Sequence, residues 1–138
     1  MGMGEAVIVA GVGCRKGAAA TDVQAAVRAA LAQCGVPANA LAAIATSAAK
    51  STEAGIAGVA AELGIPLLPI SQSDLKDAAS GAYTRSERVL ALMGVPCLAE
   101  AAALAAAGPT AQLLASRIAV GSVTCALAQS RDPSGKRP

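Results

Sequence analysis

The sequence predicts a three-layer α/β/α sandwich on a mostly parallel, mixed sheet of about five strands. Short apolar runs with β-branched residues alternate with longer runs of helical period, the pattern of βαβ units. Helical runs stop on a glycine with a proline close behind, as at Gly35-Val36-Pro37, Gly64-Ile65-Pro66 and Gly108-Pro109. At 138 residues and 54% hydrophobic, the chain is large enough to bury a core between two helical layers.

Residues 5–10, "EAVIVA", read as the first strand, ended by Gly11. Thr21 or Asp22 is placed to cap a helix whose apolar face is Val23, Val27, Ala30 and Leu31, and Cys34-Gly35 closes it. After a lead-in over 39–41, "LAAIAT" (41–46) is the second strand. Ser51 or Thr52 is placed to cap the next helix, with Ile56, Val59, Ala60 and Leu63 as its stripe. Residues 66–71, "PLLPIS", are a third strand, and Pro69 marks it as an edge or a strand end. Ser73-Asp74 opens a short helical turn, 78–84 are loop, and Ser86–Met93 are helix. Residues 97–107 form an alanine-rich helix, alanine being the best helix former and the one that permits close approach. The last pattern, 117–129, alternates as strand, with Gly121-Ser122 as a bend, bulge or hairpin turn and an antiparallel direction open to it. Residues 1–130 are expected to be a single domain and 131–138 a mobile polar tail.

Composition excludes several function classes. Alanine fills 37 positions, Phe and Trp are absent, and Tyr83 is the sole aromatic, so the core must be small aliphatic residues. A net charge of +2 and the lack of a base-stacking platform argue against a nucleic-acid partner. No apolar run approaches the roughly 20 residues of a membrane span, and no secretory leader is visible, so a cytoplasmic protein is expected. The four cysteines, 14, 34, 97 and 125, include no C-x-x-C pair and read as free thiols, the last three as small core residues. The chain has no histidine, which removes Ser-His-Asp triads, Cys-His dyads and histidine metal sites. No metal and no cofactor is expected.

Three places carry candidate chemistry. The first is "GVGCRKG", with Gly11, Gly13, Cys14, Arg15, Lys16 and Gly17, at the carboxyl end of a strand, where α/β proteins bind ligands. Its glycine spacing misses the dinucleotide fingerprint by one residue and lacks the Walker lysine pattern. It reads either as an anion site of backbone N–H groups and two cations or as a tight turn with two solvated cations. Cys14 is either a nucleophile activated by those cations or a bystander thiol. The second is "TSAAKSTEAG", from Thr46 to Gly55, on the same sheet edge if the strands are parallel. Glu53 near a helix start suits the helix dipole; Lys50 there does not, and is the better ligand candidate. The third is Glu100, a lone acid in the alanine-rich helix, either a first-turn dipole partner or a buried acid that orients a loop. Thr84 and Ser86 are further caps, and Arg85 is a further anion contact.

Taken in order, "GVGCRKG", "IATSAAKSTEAGI", "VPCLAEAAALAAAG" and "VTCALAQS" resemble the CobE/CbiG C-terminal domain family of cobalamin biosynthesis, nearest its stand-alone members. The resemblance spans about residues 5–130. It implies an α/β/α domain acting in corrin-ring synthesis. By position it implies ligand roles for Gly11, Gly13, Cys14, Arg15, Gly17, Lys50, Glu53 and Glu100. Family members often carry an acid where this chain has Ser47-Ala48-Ala49, and commonly a lysine at Arg117. The larger CbiG proteins open a precorrin lactone; this chain has no counterpart of their N-terminal part.

The expected function is binding of a precorrin-type tetrapyrrole as a carrier or accessory factor in the oxygen-dependent route. Arg15 and Lys16 would hold carboxylates, and Thr46, Lys50, Glu53 and Glu100 complete the set. Two alternatives stand beside it. One is a lactone hydrolase or lyase, with Lys50, Glu53 or Cys14 as catalysts. The other is a non-catalytic subunit that docks on another pathway enzyme through the helix at 97–107.

Overall fold

The computed structural model describes residues 7–78, 98–108, 111–115 and 117–130. The expectations for the 79–84 loop, the Ser86–Met93 helix, Thr84, Arg85, Ser86, Cys97 and the 131–138 tail lie outside those residues.

Six strands form one sheet: β1 (Ile8–Cys14), β2 (Leu41–Ser47), β3 (Leu67–Ile70), β4 (Ala111–Leu113), β5 (Ile118–Val120) and β6 (Val123–Ser130). The order is β3-β2-β1-β6-β4, and β5 also pairs with β6. β1, β2 and β3 are mutually parallel, while β6 runs antiparallel to β1, β4 and β5. Five strands therefore point one way and β6 the other. Among the described residues the α-helices are α1 (Ala20–Cys34), α2 (Ala54–Leu63), α3 (Gln72–Ala78) and α4 (Leu98–Ala107). α1 and α2 pack on one face through Val23, Val27, Leu31, Ile56 and Val59, over Ala10, Val12, Ile44 and Leu127. α3 and α4 cover the other face through Leu75, Leu98 and Ala102, over Val9, Ala43 and Ala45. The three-layer sandwich is as expected, with six strands among the described residues instead of about five. β4 is the addition: three residues of mixed polarity carry no readable period.

The first strand differs most from expectation. It runs through Gly11 and Gly13 to Cys14, and β6 pairs with every residue from Ile8 to Cys14. The glycines end nothing; they are strand positions that meet α4. A Cβ on Gly11 would collide with the Ala99 carbonyl oxygen and lie 2.6 Å from the Ala103 nitrogen. One on Gly13 would lie 2.9 Å from Thr124 Oγ1. Alanine on the helix and glycine on the strand bring the two backbones together, which is the purpose of both residue types here.

Other boundaries shift by a residue or two. α1 opens at Ala20 with Ala19 as its N-cap, so neither Thr21 nor Asp22 caps it. α2 is preceded by Glu53, not Ser51 or Thr52. α3 is capped by Ser71, whose Oγ accepts from the Asp74 N–H at 3.1 Å, in place of Ser73-Asp74. All three glycine stops hold: Gly35 and Gly64 are left-handed at φ 67° and 72°, and Gly108, at φ +108°, follows the last residue of α4. Among the described residues β3 stands at the edge of the sheet, one of the two readings Pro69 left open. Gly121-Ser122 is a two-residue hairpin turn joining β5 to β6, with φ +58° at Gly121 and no positive φ at Ser122. A positive φ at the first position alone is the type II′ pattern.

Cys125 lies fully buried under α1. Burial pushes its thiol from the ordinary 9.0 up to about 12, with Cys34 adding in the same direction. A group whose pKa is raised by folding stabilises the fold below its unfolded value and loses that contribution as pH rises. Stability should thus fall between pH 9.0 and about 12, by up to ~1.4 kcal/mol per pH unit from this group. Urea midpoints at pH 8 and pH 10.5 test it, and Cys125→Ala should flatten the slope.

Candidate functional site

The candidate residues gather at the carboxyl ends of β1 and β2. The backbone ladder between these strands stops at Gly11 opposite Ala45, although they continue to Cys14 and Ser47. Beyond that point Thr46 takes over. Its buried hydroxyl donates to the Val12 carbonyl at 2.7 Å, satisfying an acceptor the ladder leaves behind. The chain then leaves each strand end into a loop.

After β1 come Arg15, Lys16 and Gly17, all exposed. Gly17 has φ +78°, the left-handed region, which lets the chain reverse toward α1. After β2, residues Ala48–Lys50 make a 3-10 turn capped by Ser47, whose Oγ accepts from the Lys50 N–H at 3.2 Å. Lys50 therefore closes a short turn of its own and does not sit in the first turn of α2. Its conflict with the helix dipole is smaller than the sequence implied.

Glu53 joins the two loops. Its Oε1 accepts from the Gly17 N–H at 2.8 Å, reaching across from the N-cap position of α2 without capping its own helix. Just inside that helix, Gly55 is pressed against the first loop: a Cβ there would come within 2.5 Å of the Ala18 carbonyl oxygen. Any larger residue would push α2 off the loop. Neither this locking role of Gly55 nor the cap made by Ser47 was foreseen from the sequence. The visible signal for Gly55 is a glycine in the second position of a helix, where nothing in helix chemistry requires one.

Cys14 ends β1, half-buried among these groups. Burial raises its thiol, Lys50 pulls it back down, and Glu53 raises it further. The second loop is thus electrostatically felt at the sulfur, and the balance keeps the thiol protonated at neutral pH. Among the described residues, the side chains of Arg15, Lys16 and Lys50 make no hydrogen bond or ion pair. Among the described residues, three cationic side chains therefore have no partner at the carboxyl ends of β1 and β2. Among the described residues no group of acids and cysteines is arranged to hold a metal ion.

The other predicted residues lie elsewhere. Gly11 and Gly13 face α4. Thr46 serves the sheet. Glu100 is fully buried in the first turn of α4, and its Oε2 accepts from the Arg117 N–H at 2.9 Å. That N–H lies where the edge of the sheet breaks between β4 and β5, so the acid orients a loop, one of its two readings. Glu100→Ala should cost about 2–4 kcal/mol, from the cavity and the orphaned donor together, read as a shift in the urea midpoint. The alanine-rich helix is also no docking face over its first two turns, because residues 98–104 are all buried.

The fold and this edge define a small α/β/α domain that presents a cationic two-loop cluster beside a thiol. The family model described as Cobalamin synthesis G C-terminus matches residues 8–128. A curated relative, "Protein CobE" from a Sinorhizobium species, is 34% identical over 121 residues, covering 88% of this chain and 79% of its own. The crystal structure of CobE, a protein from the cobalamin biosynthetic pathway, superposes with a TM-score of 0.86 at 30% identity, covering 92% of each chain. Cobalamin biosynthesis protein chiG from Agrobacterium tumefaciens is 45% identical, with a TM-score of 0.73 over 91% of this chain and 100% of that one. The chain belongs to the cobalamin synthesis G C-terminal family, and its setting is cobalamin biosynthesis. A Sulfolobus solfataricus homolog of protein G, at 17% identity and TM-score 0.71, shares the fold; the match covers 91% of this chain and 37% of that longer one. No helix among the described residues is long and apolar enough to cross a membrane.

Proposed function

We propose that this protein binds a precorrin-type tetrapyrrole at the carboxyl ends of β1 and β2 and acts as a carrier or accessory factor. The observation that carries this reading is the placement of Arg15, Lys16 and Lys50 on two loops joined by Glu53, none of them bonded to another side chain among the described residues. Corrin-pathway intermediates carry several acetate and propionate groups around an apolar ring. Separate cations on a fixed frame suit several carboxylates at once, Arg15 as a bidentate partner and the lysines as point charges. Membership of a cobalamin-biosynthesis family supports the ligand class.

The catalytic alternative has less support from the same geometry. Glu53 is occupied with the Gly17 amide, and Cys14 has its thiol raised by burial. A base and a nucleophile are the two things lactone opening would ask of them. The docking alternative has less support too, since residues 98–104 of the helix it relied on are buried.

The test is a titration of hydrogenobyrinic acid, read by the pigment's absorbance, across a salt series. The expected result is saturable binding that weakens by about tenfold as salt rises from roughly 50 to 300 mM and exposed charge contacts are screened. Binding that ignores salt, or no binding, would count against it.

A further inference from the structure

We infer that Glu53 is a positioning residue of this site and not a ligand contact: it fixes the cationic loop through the Gly17 amide while its charge opposes the incoming anion. The inference rests on the tetrapyrrole-acid reading above. An acid in a site for polycarboxylates needs an explanation, because a carboxylate facing a carboxylate repels it. The geometry supplies one. Oε1 takes the Gly17 N–H at 2.8 Å, a short charge-assisted bond. The backbone behind that side chain is itself held at both ends: the Glu53 N–H donates to the Lys50 carbonyl at 3.0 Å, and its own carbonyl accepts from Ala57 at 3.1 Å. Gly55 against the Ala18 carbonyl closes the contact from below. The loop has little freedom to move away from Glu53, so Glu53 stays on Gly17 when ligand arrives. Arg15 and Lys16, the two residues before that amide, are presented in a fixed direction as a result.

The two functions of Glu53 separate by substitution. Glu53→Gln keeps an oxygen acceptor for Gly17 and removes the charge; Glu53→Ala removes both. Hydrogen exchange at the Gly17 amide in the ligand-free protein reads the anchor alone. The Ala variant should exchange at least about fivefold faster than the parent, and the Gln variant within about twofold of it. Hydrogenobyrinic acid titration reads the charge. The Gln variant should bind about threefold to tenfold more tightly than the parent, and the Ala variant more weakly than the Gln variant. Equal weakening by Gln and Ala would overturn the inference and make Glu53 a ligand contact. Unchanged Gly17 exchange in the Ala variant would overturn it as well. If the parent itself fails to bind, the tetrapyrrole reading falls, while the exchange experiment still decides whether Glu53 anchors the loop.

Discussion

Gly11→Ala is expected to destabilise the protein by about 3 kcal/mol, and Gly11→Val to prevent folding. The reason is steric. Gly11 is a β1 residue within the sheet on both sides, paired with Ala45 and Ala126. In strands a glycine is ordinarily a weakness, and alanine would restrict the unfolded chain. Here the added methyl meets the Ala99 carbonyl and the Ala103 backbone nitrogen. Backbone atoms within a buried helix cannot rotate aside as a side chain would. α4 must lift from the sheet, and it is packed along its length on β1, β2 and β6. Gly58→Ala is the matched control. Gly58 is exposed on α2, with nothing within 4 Å of the added carbon. It should stabilise by about 0.5–1 kcal/mol from helix propensity. Opposite signs for the same chemical change, measured by urea midpoint, would establish that Gly11 is there for the helix packed against it.

The second large effect concerns binding. Combined Arg15→Gln, Lys16→Gln and Lys50→Gln should weaken hydrogenobyrinic acid binding by about 100-fold, near 1 kcal/mol for each of the charge-assisted hydrogen bonds removed. The three residues are solvated or half-buried, and among the described residues their side chains make no bond that holds the fold. Stability should move by less than about 0.5 kcal/mol, as for surface substitutions generally. The separation between a large binding effect and a small stability effect identifies them as ligand residues. The structural residues nearby, Thr46 and Gly55, should behave the opposite way.

Much of the architecture was legible in the sequence because its punctuation is chemical. Gly35 and Gly64 stop helices through a left-handed φ that only glycine adopts cheaply, and each reads as a stop. Pro69 announces an edge or a strand end, and Gly121-Ser122 a bend, bulge or turn. The misreadings share one cause. At Gly11 and Gly13 the glycine signal suggests a turn, whereas the demand comes from α4, nearly ninety residues later, at Gly11 and from Thr124 of β6 at Gly13. A local reading has no access to a helix that packs across the sheet. Glu53 and Gly55 are likewise legible as helix-start residues, yet their partners are Gly17 and Ala18 on another loop. β4 escapes because three residues cannot display a period. Within the site, the edge, the two loops and the three cations were all foreseeable from parallel strands. What joins the loops was not.

Soaking hydrogenobyrinic acid into crystals of the protein tests the central claim most directly. The expected density lies between the Arg15–Gly17 loop and the Ser47–Glu53 segment. Ligand carboxylates should fall within hydrogen-bond distance of Arg15, Lys16 and Lys50, with Glu53 still on the Gly17 amide. Pigment bound at the opposite edge of the sheet, or on the outer faces of α1 and α2 away from these cations, would contradict it.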